Sequence, residues 1–249
     1  MNNKIELGSQ TAKRGFRNEK DIADKFNDWT NDKEAQEWLI IMGYKIEEIE
    51  KVIATIIHGC KADINVKITI EFKEALGIEN IQVKLVSNMN GYNQVDKRWV
   101  DTYKEMWNMP DEIVRLFKLY TGEEKPYKKD VRDKRRMFIN EFSKEEQEYL
   151  LNWITSKKTL IVSDILKGRG EFAAEWWLVA QKVKENSRWT LKNINEVISH
   201  YSDGNKVLIT DKGNLKIGKI TVQRKGGDGG RETAKMLQFK LNPAELFDI

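Results

Sequence analysis

The sequence predicts an α/β fold, on three observations. Between Asp63 and Phe72, apolar Ile64, Val66, Ile68, Ile70 and Phe72 alternate strictly with Asp63, Asn65, Lys67, Thr69 and Glu71. A period of two over that length describes a half-buried strand. Segments with helical periodicity lie on both sides of it, and period-two patterning returns near the C-terminal end.

Taken in order, residues 16–28 read as an amphipathic helix with Phe16, Ile22, Ala23 and Phe26 on one face. A second helix covers 34–42 around Ala35, Trp38 and Leu39, and a third, short one covers 45–52. The alternating strand 63–72 then pairs with a second strand over 81–85, in which Gln82 and Lys84 share one face and Ile81, Val83 and Leu85 the other. Gly77 marks the turn between them. After a Trp- and Tyr-rich stretch, Pro110 opens a helix that runs to Tyr120 and stops at Gly122. Ser143 and Glu146 form a capping box for a helix through Trp153. Further helices are expected over 171–185, with Phe172, Trp176, Val179 and Val183 at helical spacing, and over 191–200. Strands follow at 207–210, 215–217, 220–224 and 236–241, with a turn at 211–213 and a Gly-rich loop at 226–230. The absence of a linker or repeat suggests a single domain over 1–249.

Composition bounds the possibilities without choosing among them. Forty-three Lys and Arg against 39 Asp and Glu leave a formal net charge of +4, which permits a polyanionic partner but does not require one. Basic residues gather at Lys128, Lys129, Arg132, Lys134, Arg135 and Arg136, and again from Lys216 to Arg231. Such runs are commonly solvated faces, and the first is as readily that as a phosphate contact. Cys60 is the single cysteine, so an intrachain disulfide and a Cys-based zinc site are both excluded. No stretch reaches the length of a membrane span, which points to a soluble, cytoplasmic protein, and the Lys, Ile and Asn usage suggests a bacterial source.

The hairpin places a carboxylate, an amide and an ammonium group in one neighbourhood. That set suits phosphodiester hydrolysis, which needs a divalent cation at the phosphate, an activated water and positive charge for the transition state. Asp63, the Gln82 side-chain oxygen and the Val83 carbonyl would supply hard oxygen ligands for magnesium, with Mn2+ able to substitute. Lys84 would orient or deprotonate the attacking water and balance phosphate charge.

With Asp63 as the aspartate, Gln82 at the acidic position and Lys84 as the lysine, the pattern resembles the PD-(D/E)XK nuclease superfamily. Longer blocks resemble the HinP-type restriction endonucleases: Gly15 to Asp24, Ile81 to Asn88, Asp133 to Phe138, Gly168 to Trp176 and Gln223 to Ala234. The MspI-type enzymes are more distant relatives of that group. The resemblance implies a restriction-endonuclease-like core, with a central mixed sheet flanked by helices and a strand-rich C-terminal segment (about 205–249) that grips DNA. It implies a type II enzyme cutting double-stranded DNA at the palindrome GCGC, leaving a 5′-phosphate and a 3′-hydroxyl. A companion methyltransferase is then expected in the same cell, and the enzyme would act as a monomer or homodimer. Gln82 replaces the usual carboxylate of the superfamily, as it does in the HinP-type group, so a further ligand is wanted. Glu19 on the first helix is the candidate, with a solvated surface residue as the alternative.

Gln223, Arg224, Lys225, Arg231 and Thr233 flank the Gly-rich loop and suit guanine edges in the major groove, Arg224, Lys225 and Arg231 foremost. The alternative is an exposed hairpin whose glycines only form the turn. Gly168, Arg169 and Gly170, read as preceding a helix, offer backbone amides to phosphate. Tyr92, Gln94 and Lys97 match the region that approaches the minor groove in HinP-type enzymes, with Tyr92 as a wedge between base steps or, equally, an aromatic packed on the core. Two other functions fit the same residues: a structure-reading repair or resolving nuclease, and a catalytically silent DNA-binding protein.

Overall fold

A computed structural model describes residues 18–57, 65–72, 76–183, 186–203, 207–227 and 230–249. In chain order the first elements are α1 (18–27), α2 (Lys33–Ile41), β1 (Lys51–Ile57), β2 (Asn65–Glu71), β3 (Leu76–Val86) and β4 (Asn93–Arg98). Next come α3 (Val100–Trp107), α4 (Asp111–Thr121), α5 (Lys144–Lys167), β5 (Trp176–Val183), β6 (Asn186–Asn193) and α6 (Ile194–Ser202). The chain ends in β7 (Val207–Ile209), β8 (Leu215–Ile217), β9 (Ile220–Arg224) and β10 (Leu237–Leu241). These elements form two compact units, one drawn from 6–91, 166–197 and 242–249, the other from 92–165 and 198–241.

The first unit holds a five-stranded mixed sheet in the order β1-β2-β3-β5-β6, in which β3 and β5 run parallel and the other pairs are antiparallel. Val66, Ile68 and Ile70 of β2, Ile81 and Val83 of β3, Leu178 of β5 and Leu191 of β6 make one apolar face. Ile22, Ala23 and Phe26 of α1 and Ala35, Trp38 and Leu39 of α2 pack there, at the helical spacing read from the sequence. Asp32 caps α2 by accepting the Ala35 amide at 2.9 Å. The segment 243–248 packs against β3, β5 and β6.

Three elements of this unit differ from expectation. The helix expected over 45–52 is a short 3-10 turn, Ile46–Glu48, followed by β1, whose residues 51–57 each pair with β2. Val52, Ile53, Thr55, Ile56 and Ile57 are β-branched, and an open sheet edge beside β2 decides their conformation. Gly77 lies within β3 opposite Ile70, and a Cβ there would meet the Tyr44 hydroxyl at 3.1 Å. The helix expected over 171–185 is strand β5. Trp177, Leu178, Val179 and Ala180 are buried in succession, as in a strand covered on both faces, and such a run carries no alternation to read. Arg169 therefore stands at the N-cap of a 3-10 turn, Gly170–Phe172, that leads into a strand, and the α-helix N-terminus expected after Gly170 does not form.

The second unit is built on an antiparallel sheet in the order β4-β10-β9-β8-β7. Its core face carries Val222, Leu237, Phe239 and Leu215. Tyr103 stacks on Trp107 with centroids 4.5 Å apart, and both rings set their edges to Phe239. Buried Asp96 accepts the Tyr103 hydroxyl at 2.6 Å and a bidentate pair from Arg98, so its charge is fully partnered. Helix α4 starts after Pro110 and ends at Gly122, where φ is 84° and a Cβ would lie 2.8 Å from the Arg135 carbonyl oxygen. The Ser143–Glu146 capping box forms with both reciprocal bonds, but α5 runs to Lys167 rather than ending near Trp153. Among the described residues, no helix is long and apolar enough to cross a membrane.

Candidate active site and nucleic-acid interface

Alternation along β3 sends Ile81 and Val83 into the α1–α2 face and Asn80, Gln82 and Lys84 to the other. Both proposed catalytic side chains on this strand are buried: Gln82 is 8% exposed and Lys84 5%. Gln82 stands opposite Asn65 on one flank and Trp177 on the other, and Lys84 stands opposite Val179. The Lys84 ammonium lies 5.6 Å from the centroid of the Trp177 ring, within cation–π range. That indole is held in turn by its N–H, which donates to the Leu166 carbonyl at 3.1 Å. Trp177 was hidden in the sequence by the helical reading of 171–185. As a strand, the segment brings it beside Gln82.

The Gln82 Nε2 is buried and has no hydrogen-bond partner among the described residues. Amide nitrogen and oxygen exchange places by a flip, so this side chain can present its oxygen to a cation without breaking a bond. Gln82 therefore fits as a neutral oxygen ligand. Asp63 lies outside the described residues. Among those residues, no group of three or more His, Cys, Asp or Glu side chains could hold a metal. Glu19 on α1 is 8% exposed and shares a stripe with Ile22, Ala23 and Phe26, so it is turned inward rather than solvated.

At the Asn80 end of β3 lies a second polar group. Glu79 accepts the Tyr44 hydroxyl at 2.5 Å and the Trp176 indole N–H at 2.9 Å, and Glu175 accepts the Asn80 amide. Burial, together with the neighbouring Glu175 carboxylate, holds the Glu79 carboxyl above the ordinary glutamate range.

The residues expected at DNA lie mostly in the second unit. Lys97 of β4 pairs with Gln238 of β10, which pairs on its other side with Gln223 of β9. A bulge between Phe239 and Lys240 of β10 shifts the register, so that Gln94 faces Lys240 and Val95 is the extra residue. Simple alternation would put Gln94 and Lys97 on opposite faces. The bulge returns both to one face, where Lys240, Thr221 and Lys216 continue the second row. Gln238, only 5% exposed, sits at the centre of this face. It was missed because nothing local in the sequence marks a register between strands so far apart in the chain.

Arg224 points the other way, to the face of Val222 and Leu237. The Lys225 and Gly226 amides donate to the Met236 and Ala234 carbonyls and close the Gly-rich loop. Gly226 and Gly227 have φ near 60°, and nothing would crowd a Cβ at either. Arg231 is exposed, Thr233 is half-buried, and Tyr92 is 47% exposed, which removes the packed-core reading of that ring.

The mixed sheet flanked by helices is the fold of a restriction endonuclease. It resembles the crystal structure of restriction endonuclease MspI in complex with its cognate DNA, with a TM-score of 0.59 and 16% identity, over 89% of this chain and 87% of that one. Residues 42–247 match the model of the R.HinP1I restriction endonuclease family, and the chain belongs to that family. No curated protein matches the chain.

Proposed function

We propose that the protein is a type II restriction endonuclease that hydrolyses double-stranded DNA at GCGC with a divalent cation. The observation that carries the chemistry is the buried Gln82–Lys84 pair on one face of β3, with Trp177 beneath the ammonium. Membership of the R.HinP1I restriction endonuclease family supports the reaction class. Asp63, Gln82, the Val83 carbonyl and Glu19 would hold magnesium or manganese, which supplies Lewis-acid charge and lowers the pKa of water.

The chain's own residues would do the rest. Lys84 balances charge on the scissile phosphate and orients the attacking water for in-line displacement of the 3′-oxygen, leaving a 5′-phosphate. Burial excludes competing solvent around that ammonium, so its field acts at short range. In the second unit, the Lys97–Gln238–Gln223 row and Gln94 would meet base edges, Lys225, Arg231 and Thr233 would contribute from the Gly-rich loop, and Tyr92 would wedge at a base step. A companion methyltransferase in the same cell follows from this function.

Digestion of a sequenced plasmid with magnesium or with EDTA, beside Lys84→Ala, tests it. Discrete fragments ending at GCGC, lost in EDTA and in the variant, are the expected result. A smear, or binding without cleavage, would overturn it.

A further inference from the structure

Four guanidinium groups in the second unit face too few carboxylates. Asp133 is taken by Arg135, with bonds of 2.8 and 2.9 Å, and only its edge reaches Arg136, at 3.6 Å. Glu141 is taken by Arg132. The Phe138 ring is stacked between Arg132 and Arg136, each with its guanidinium carbon 4.0 Å from the ring centroid, so both are held in place. Arg136 also lies over the Tyr120 ring, and the Tyr120 hydroxyl donates to the Val222 carbonyl of β9, the strand that ends in Arg224.

Arg224 has no ion pair among the described residues, and the Nε atoms of both Arg136 and Arg224 are buried without a hydrogen-bond partner. Burial, and then the positive charges of Arg136 and Arg135, hold the Arg224 guanidinium below its ordinary pKa. Two cations with unused donors, one of them stacked in place and each repelling the other, would gain most from a shared oxyanion.

We propose that Arg136 and Arg224 grip one backbone phosphate of the bound DNA, so that Arg224 positions the duplex rather than reading a base. The proposal rests on the DNA-cleaving function above. It gives the connector before α5 a role that its charge run alone did not establish.

Two measurements test it. In thermal melts, inorganic phosphate should raise the Tm of the wild-type protein above the value in chloride at equal ionic strength. Arg136→Gln and Arg224→Gln should each lose that increment. In metal-free binding to a GCGC duplex and a scrambled duplex, each variant should weaken both about equally and reduce the salt slope by about 1. Arg224→Lys, which keeps the charge, should retain the slope and guards against a folding defect. Loss of discrimination with an unchanged slope would make Arg224 a base reader and overturn the proposal. An unchanged slope with no phosphate-specific shift would also overturn it. A phosphate-specific shift lost in both variants, in a protein that binds neither duplex, would leave the anion site standing and remove the nuclease function instead.

Discussion

The Lys84 ammonium and the Trp177 ring lie 5.6 Å apart on the face of β3 and β5 opposite the main apolar core, both buried. The ring presents its negative face to that charge and contributes attraction to it. Trp177→Phe keeps an aromatic face but loses the N–H bond to Leu166, so stability should fall by about 1–2 kcal/mol, with cleavage largely kept. Trp177→Leu removes the face, and single-turnover cleavage should fall about tenfold further. Urea denaturation and quenched-flow cleavage would separate the two effects. Equal cleavage by both variants would deny the ring any electrostatic part.

Gln82 would bring no charge to the proposed cation site. Gln82→Glu would place a carboxylate oxygen where the amide nitrogen has no partner among the described residues. Ligand charge sets affinity for hard cations, so the magnesium concentration for half-maximal cleavage should drop about tenfold. A metal titration of the cleavage rate is the check, and an unchanged midpoint would place the cation away from this side chain.

Glu79 makes stability depend on pH. Its folded pKa is raised, first by burial and further by Glu175, so the carboxyl's contribution is fully present below the unfolded value of about 4.3 and is lost as pH rises through the folded value. Glu79→Gln should flatten the profile in that window and equal or exceed the wild-type stability at pH 7. Urea midpoints from pH 4 to 8 would show it, and parallel profiles for the two proteins would contradict it.

Gln238 stands between Lys97 and Gln223, and on the face proposed to meet bases a buried amide would discriminate more than it attracts. Gln238→Ala should cut the ratio of cognate to near-cognate cleavage by roughly 10–100-fold, the worth of about 1–3 kcal/mol for one well-made base contact. Deep sequencing of fragment ends from a randomised plasmid library measures that ratio. An unchanged ratio would take Gln238 off the interface.

The two strands around Gln82 were legible because each has one apolar and one polar face, and Gln82 and Lys84, two residues apart, had to share a side. The C-terminal strands were legible for the same reason, and α4 by Pro110 and Gly122. Strand β5 was not, since burial on both faces erased its alternation and left Phe172, Trp176, Val179 and Val183 at a misleading helical spacing. Nor was the face shared by Gln94 and Lys97, which depends on one extra residue, Val95, opposite Phe239 and Lys240. Register and bulges are relations between distant segments, and a single sequence records only the near ones.

The unit that carries Gln82 and Lys84 takes its final piece, 242–249, only after every strand of the other unit has passed. That piece ties back at Asn242, which donates to the Met89 carbonyl at 2.7 Å, and at Phe247, stacked under Arg188 at 4.1 Å. A nascent chain leaving the ribosome therefore completes the strands that would hold DNA before it completes the part that would sever it.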